Sequence, residues 1–419
     1  MALLEIASAI AAQLASSFLL NFIFLVVYAM LVYVIRDQYE KYKMLEDGRF
    51  VKPVGTVRDL VKESVLFGAV AGFIASFFSV VGGITVDSRS YEYMVLILII
   101  LRLINIRYLC IAYAGGILAL INTVLGFKSS DASSILALIA ILHIVESAMI
   151  YASPGKYTIP VLIKHKSGIV GAFFTQRFWP VPVVLLTFLP GATGQSLLDI
   201  IAGGGWMPFK PEAAGAASSL GLGCIAAVLG YSDVCITKEP DKKSRETAGR
   251  LLIYSIILLI VAWASVYLHV FKIIGAVFAI AGHEGIIIYG KHREKNGRPL
   301  FETVRRGVKV FDIPVGSHAH RMGMKRGDVI LSVNGKDVQT EEGIAGALME
   351  FPTFIWVDAV DADGNKKYYE YRCFPNGADN LEIMTVPREE RITYNIDYFE
   401  DMSVLKNMVQ RFKGTGRPL

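Results

Sequence analysis

Residues 142–151 read LHIVESAMIY, which places His143 and Glu146 three apart, on one helix face, inside a stretch apolar enough to cross a bilayer. His283 and Glu284 begin the last turns of another apolar stretch, and Arg102 and Asp199 fall in two more. An ionisable group at membrane depth costs at least ~2.5 kcal/mol, so each of these must face protein or water and each raises a functional question. Three chemistries compete. A zinc-dependent protease built on one helix needs His-Glu-x-x-His, two imidazoles to hold the metal and a carboxylate as base. Here His283-Glu284 is followed by Gly285, Ile286 and Ile287, so isoleucine stands where the second histidine is required, and no other HExxH occurs. A proton or ion relay would use His143, Glu146 and Asp199 beside a proline-broken helix, although paired short segments in two inverted halves do not accompany it. The third chemistry is structural: interhelical hydrogen bonds, worth ~0.6–2 kcal/mol each, that fix the bundle. This last reading asks least of the residues. It assigns no catalytic, cofactor-binding or metal-ligating group, and no GxSxG-like turn supports a serine nucleophile; the expectation is a protein that is not an enzyme.

The elements that carry these residues follow from composition. Of 419 residues 53% are hydrophobic and the mean hydropathy is +0.47, values of a polytopic membrane protein. The apolar excess is confined to residues 1–290, whereas the sequence from His292 onward is charged and turn-rich. A net charge of +5 spread over loops points to membrane topology rather than nucleic acid. Cys110, Cys224, Cys235 and Cys373 show no CxxC spacing and read as packing residues. The first apolar run has no basic leader and reads as a retained span.

Stretches of about 20 apolar residues fall near 15–35, 65–86, 93–107, 109–127, 134–152, 178–201, 213–231, 251–270 and 272–290, giving eight or nine helical crossings. The stretch 178–201 is interrupted by Pro180, Pro182, Pro190 and Gly191. Loops 36–62, 153–177 and 232–250 hold sixteen Lys and Arg residues, against four at Arg89, Lys128, Lys210 and Lys272. That asymmetry places the basic loops and the C-terminal region on the cytoplasmic side. Nine crossings would place the N-terminus outside.

The polar third has its own pattern. GVKVFDI (307–313) reads as a strand and SHAHRMG as a short helix ending at Gly323. MKRGDVILSVNG (324–335) reads as a turn, an alternating strand and an Asn334-Gly335 hairpin turn. Thr340 caps a helix over EEGIAGALME, with Ile344, Ala347 and Leu348 on one face, and the strands FIWVDAV and KKYYEYRCF are joined by Asp363-Gly364-Asn365.

This order, with its RGDVILSVNG core, resembles a bacterial PDZ domain over about 300–387. The resemblance implies that a partner's extended peptide adds a strand beside one sheet edge and next to the 341–350 helix. A Gly-Leu-Gly-Phe-like carboxylate loop is not evident, and two stretches are its candidates: Pro299-Leu300-Phe301-Glu302 before the first strand, or Asn380-Leu381-Glu382-Ile383 after the last. The groove candidates are accordingly Leu300, Phe301, Leu381, Glu382, Ile383, Ile344 and Leu348; the alternative is that both stretches are ordinary sheet residues.

LHIVESAMIY, RFWPVPVVLL (177–186) and GHEGIIIYGKHRE (282–294), in that order ahead of a terminal PDZ domain, resemble MinJ-type proteins of Gram-positive bacteria. The resemblance implies a non-enzymatic adaptor at the septum and poles, bridging a DivIVA-like polar scaffold to a MinD-like division inhibitor, without a cofactor. The expected fold is a polytopic α-helical membrane bundle of eight or nine helices (1–290), an α+β PDZ-like domain (291–387) and a tail (388–419). In that tail EDMSVLKNMVQRFK (400–413) has the spacing of an amphipathic helix, suited to its own domain or to the anionic inner leaflet. The oligomeric state is left open between a monomer and a homo-oligomer.

Overall fold

The computed structural model describes residues 2–45, 55–126, 131–190, 207–209, 218–350, 353–388 and 394. The expected 400–413 helix and Asp199 therefore lie outside the described residues. Among the described residues, eight α-helices precede the C-terminal region: α1 (Ala2–Leu20), α2 (Phe22–Met44), α3 (Val57–Gly82), α4 (Ser88–Ile104), α5 (Ile111–Leu125), α6 (Ala132–Ala152), α7 (Pro240–Tyr267) and α8 (Val270–Asn296). Six of those described, all but α4 and α5, are long and apolar enough to cross a membrane. Local sequence sets their ends. Thr56 and Asp59 form a reciprocal capping box on α3, and Gly83, at φ 78°, closes it in the left-handed conformation that glycine adopts without penalty.

Three of the anticipated spans fold differently. The stretch 15–35 is two helices, because Asn21 leaves the helical conformation and its side chain accepts from Phe24 N–H at 3.0 Å, capping α2. Residues expected in helical crossings at 178–201 and 213–231 belong instead to β2 (Gly168–Pro190) and β3 (Ser218–Cys235), which with β1 (Ile159–His165) form an antiparallel sheet in the order β1-β2-β3. Pro180 and Pro182 explain the outcome: within a helix each would remove a hydrogen bond and clash with the preceding turn, whereas a strand edge tolerates them.

The β2 strand is buried among helices, where an unpaired backbone group costs several kcal/mol. One side pairs with β3 from Phe173↔Cys235 to Pro190↔Ser218. On the other side, past the end of β1, partners from the helices and from the 84–86 segment meet backbone groups of residues 178, 180, 184 and 186. Phe178 N–H donates to the Tyr39 hydroxyl at 3.0 Å, and Val184 N–H donates to Ser76 Oγ at 2.8 Å. Leu186 N–H reaches Ile84 O at 3.3 Å, and Val86 N–H returns to Leu186 O at 3.0 Å. Pro180 and Pro182 have no N–H to satisfy, and the Pro180 carbonyl accepts from Tyr28 Oη at 3.2 Å. Helix α3 comes close because it presents glycine: a Cβ on Gly68 would stand 2.1 Å from Pro180 O, and one on Gly72 would stand 2.2 Å from Pro182 O. Hydroxyls on α2 and α3 and the absence of an N–H at two prolines thus remove much of the cost of running this strand edge through an apolar bundle.

After α8 the chain adds β4 (Phe301–Glu302) to β2, with Gly171↔Phe301 and Val170↔Glu302 paired. A second sheet follows: β5 (Val308–Asp312), β6 (Val329–Val333), β7 (Lys336–Asp337), β8 (Phe354–Val360), β9 (Lys366–Arg372) and β10 (Met384–Thr385), ordered β10-β5-β6-β8-β9 with β7 beside β6. Two helices, α9 (His318–Met322) and α10 (Glu341–Glu350), complete the α+β unit. The anticipated Asn334-Gly335 turn is present, with φ of 51° and 76°.

The two sheets meet at a built joint. Phe173 of β2, Phe301 and Phe311 form one aromatic cluster, with Phe173 and Phe311 centroids 5.0 Å apart. Arg326 lies over the Phe173 ring at 4.7 Å while pairing with Asp312 at 2.5 Å. Leu300 N–H donates to Ile236 O at 2.9 Å. Basic loops gather at this same end: Lys156 and Arg177 both pair with Glu63, Lys243 pairs with Glu294, and Lys166 bonds Asn296.

Candidate functional site

Four of the ionisable residues singled out in the spans, His143, Glu146, His283 and Glu284, converge. His143 is fully buried on α6, and its Nδ1 lies 2.7 Å from Ile139 O one turn back. A carbonyl accepts only, so Nδ1 carries the proton and Nε2 presents a lone pair. That nitrogen is 3.2 Å from Cys110 Sγ, which sits at the N-cap of α5 with Ala112 N–H directed at the sulfur, 3.5 Å away. His283 arrives from α8 with Nε2 3.5 Å from the same sulfur.

A chain of partners orients His283 in turn. Tyr113 Oη donates to Glu284 Oε2 at 2.6 Å, so the tyrosine oxygen is left to accept from His283 Nδ1–H at 3.3 Å. Arg107 forms an ion pair with Glu284. The two imidazoles meet edge to face, centroids 5.2 Å apart, and Tyr254 packs on both.

Glu146 completes the group from β3's side. Its Oε1 accepts from Gly230 N–H at 3.1 Å, on the β3 edge that β2 leaves free, and its Oε2 stands 3.8 Å from His143 Nε2. Beside the cluster opens a cavity of about 230 Å³ whose walls include Cys110, Glu146, His283, Gly230 and Ser232. The arrangement joins three soft or borderline donor atoms, a carboxylate and a strand edge.

His143, Glu146, His283 and Glu284 are thus brought to one place, with Glu284 serving Tyr113 and Arg107 rather than facing the sulfur. Cys110, Arg107 and Tyr113 were not singled out in advance as members of this site. Cys110 lies 33 residues from His143 and 173 from His283, so no short motif links them. Its one local signal is its place just before an apolar helix.

The peptide-groove candidates separate into two places. Ile344, Leu348, Leu381 and Ile383 share one hydrophobic core with Val310 and Ile330, between α10 and the sheet. Glu382, held at φ 52°, accepts through its carboxylate from His318 N–H at 3.1 Å, and so caps α9. Phe301 belongs to the joint with β2, and Leu300 reaches Ile236. The 299–302 stretch is therefore committed to attaching the domain, and 380–383 is the one packed with α10. Within the soluble unit, burial and an accepted bond at Asp328, 2.8 Å away, hold the Tyr369 hydroxyl well above its usual range.

No curated protein matches the chain. Residues 314–352 match the family model described as PDZ domain, a segment that runs from the turn before α9 through β6 and β7 to the end of α10. A membrane-type helical region with an embedded sheet is thereby followed, near the C-terminus, by a PDZ domain.

Proposed function

We propose that the protein is a multi-pass membrane adaptor that gathers protein partners through its PDZ domain at the bacterial division site. The observation that carries this reading is the PDZ segment 314–352 held against the membrane region by β4 and the Phe173-Phe301-Phe311 cluster. A recognition module fixed to a bilayer searches two dimensions, so a second membrane-bound partner meets it at high effective concentration and weak contacts suffice. The partner's extended segment would add beside β10 and along α10, whose packing against the sheet is fixed by the buried Ile344, Leu348, Leu381 and Ile383. Six long helices with α4 and α5 as short crossings would make eight. The basic loops at the PDZ end favour a cytoplasmic domain. Resemblance to MinJ-type proteins supports DivIVA-like and MinD-like partners and a septal and polar location.

The test is a fluorescent fusion in a Gram-positive cell, full length and lacking residues 291–419. The full chain should concentrate at septa and poles and the truncated chain should spread evenly; an even distribution of the full chain would overturn the reading. Solute transport is the competing function. Replacing His143 and Glu146 together by Leu should leave recruitment intact in an adaptor that still folds, whereas a transporter would lose flux in liposomes.

A further inference from the structure

We propose that Cys110, His143 and His283 form a binding site for a zinc-class divalent ion, with an open coordination position facing the cavity beside Glu146. The three donor atoms lie within 4.8 Å of one another. Tetrahedral zinc with ordinary Zn–N and Zn–S lengths sets its N and S ligands about 3.6 Å apart; the observed Sγ–Nε2 separations are 3.2 and 3.5 Å.

Proton counting supports a cation at this point. Ile139 O fixes the proton of His143 on Nδ1, and the Tyr113-Glu284 pair fixes that of His283 on Nδ1. Two Nε2 lone pairs therefore converge on a thiol that has a single proton to give, so the three side chains cannot satisfy one another by hydrogen bonds alone. A metal ion satisfies all three at once. Both imidazoles also show the supporting arrangement of metal ligands, in which the second ring nitrogen donates to a carbonyl or to a carboxylate-linked group. Charge agrees: a dication with the Cys110 thiolate and the nearby Glu146 carboxylate sums to zero, which a buried site requires. The nitrogen and sulfur donors select zinc-like ions over magnesium or calcium.

Three protein ligands leave a fourth position. Cys110, His283 and Glu146 all line the 230 Å³ cavity, so that position is open to water or to a ligand group within reach of the glutamate. An HExxH motif would place its ligands on one helix, whereas this ligand set is assembled from three, α5, α6 and α8.

The experiment uses the full chain purified in detergent from metal-replete cells without chelator. Elemental analysis should find about one zinc per chain. Cys110→Ser and His143→Gln should lose at least ten-fold in bound metal, Tyr113→Phe should weaken affinity by about 10- to 100-fold, and His165→Gln at the β1–β2 turn should change nothing. Cobalt substitution gives a second readout: a thiolate-to-cobalt charge-transfer band present in the natural protein and absent in Cys110→Ser. Gel filtration identifies folded variants, and for any variant that fails it the natural protein alone decides, through a melting temperature that chelator lowers and zinc restores. Purified protein without stoichiometric metal and without a cobalt band would overturn the proposal, as would a cobalt band that survives Cys110→Ser.

Discussion

Two sheets in this molecule face different surroundings and solve the same edge problem in different ways. In the PDZ sheet, β9 is an edge strand with Lys366, Lys367 and Glu370 exposed, and charge in water keeps it from pairing with a stray strand. In the other sheet, β2 is buried at residues 179–187, and its edge is met by Tyr28, Tyr39 and Ser76 hydroxyls, by Ile84 and Val86 backbone, and by two prolines that need no acceptor. The lesson is that a strand in an apolar bundle is specified less by its own residues than by the hydroxyls and glycines of the helices beside it.

That contrast can be broken at its strongest point first. Gly72→Leu forces a side chain into Pro182 O, a backbone atom that cannot turn aside; the bundle should lose more than about 3 kcal/mol, read as lost folded yield and melting temperature in detergent. Leu348→Ala should cost the soluble domain about 3 kcal/mol through a cavity in its core, with protease sensitivity confined to residues after about 300 and an unchanged bundle melt. If both regions melted together, the two sheets would form one cooperative unit and the comparison would fail.

Ser76→Ala is the finer probe. It leaves Val184 N–H unpaired inside the bundle and should cost about 1–3 kcal/mol. Adding Val184→Pro removes the stranded donor and should recover much of that loss, extending to position 184 the solution already used at 180 and 182. The same double change would be without rescue if the serine acted through packing alone.

A smaller effect is expected from pH at the basic end. Tyr157 donates to Glu63, and that bond pushes its hydroxyl up to about 12 from an ordinary value near 10. A group whose acidity is weakened by folding supports the fold fully below its unfolded value and loses that support as pH climbs past its folded value. Stability should therefore fall between about pH 10 and 12, and Tyr157→Phe should flatten that part of a thermal-melt profile. Lys367→Ala, on the water-facing edge, should shift stability by less than about 0.5 kcal/mol.

How far each region could be read in advance follows from the same difference in surroundings. In β8, FIWVDAV alternates buried and partly buried residues along its whole length, because one face meets core and the other water. Its neighbours and the Asn334-Gly335 turn were legible for the same reason. In β2, residues 179–187 are buried on both faces, so alternation vanishes and a run of that length imitates a helical span. The sign of a strand was Pro180 and Pro182 two apart, a spacing that makes sense only where every second backbone group points the same way. The helices α3, α6, α7 and α8 were legible from apolar length, and the break at Asn21 was not, since its cap lies within a continuous apolar stretch.

The polar site was half visible. His143, Glu146, His283 and Glu284 stand out because ionisable groups are rare in spans. Cys110 does not, because cysteine is ordinary in a buried interior and becomes informative only when its neighbours are known. Spacing rules search along one element, and these groups come from α5, α6 and α8.

The β2 strand touches the aromatic joint at Phe173 and the far contact with Ile84 at Leu186 without a break, and β3, bonded to it throughout, carries Gly230 against Glu146. A spar of that kind has no elbow. A tilt of the PDZ domain passed on through Phe173 would therefore carry Gly230 with it and bear on the hydrogen bond that Gly230 gives Glu146.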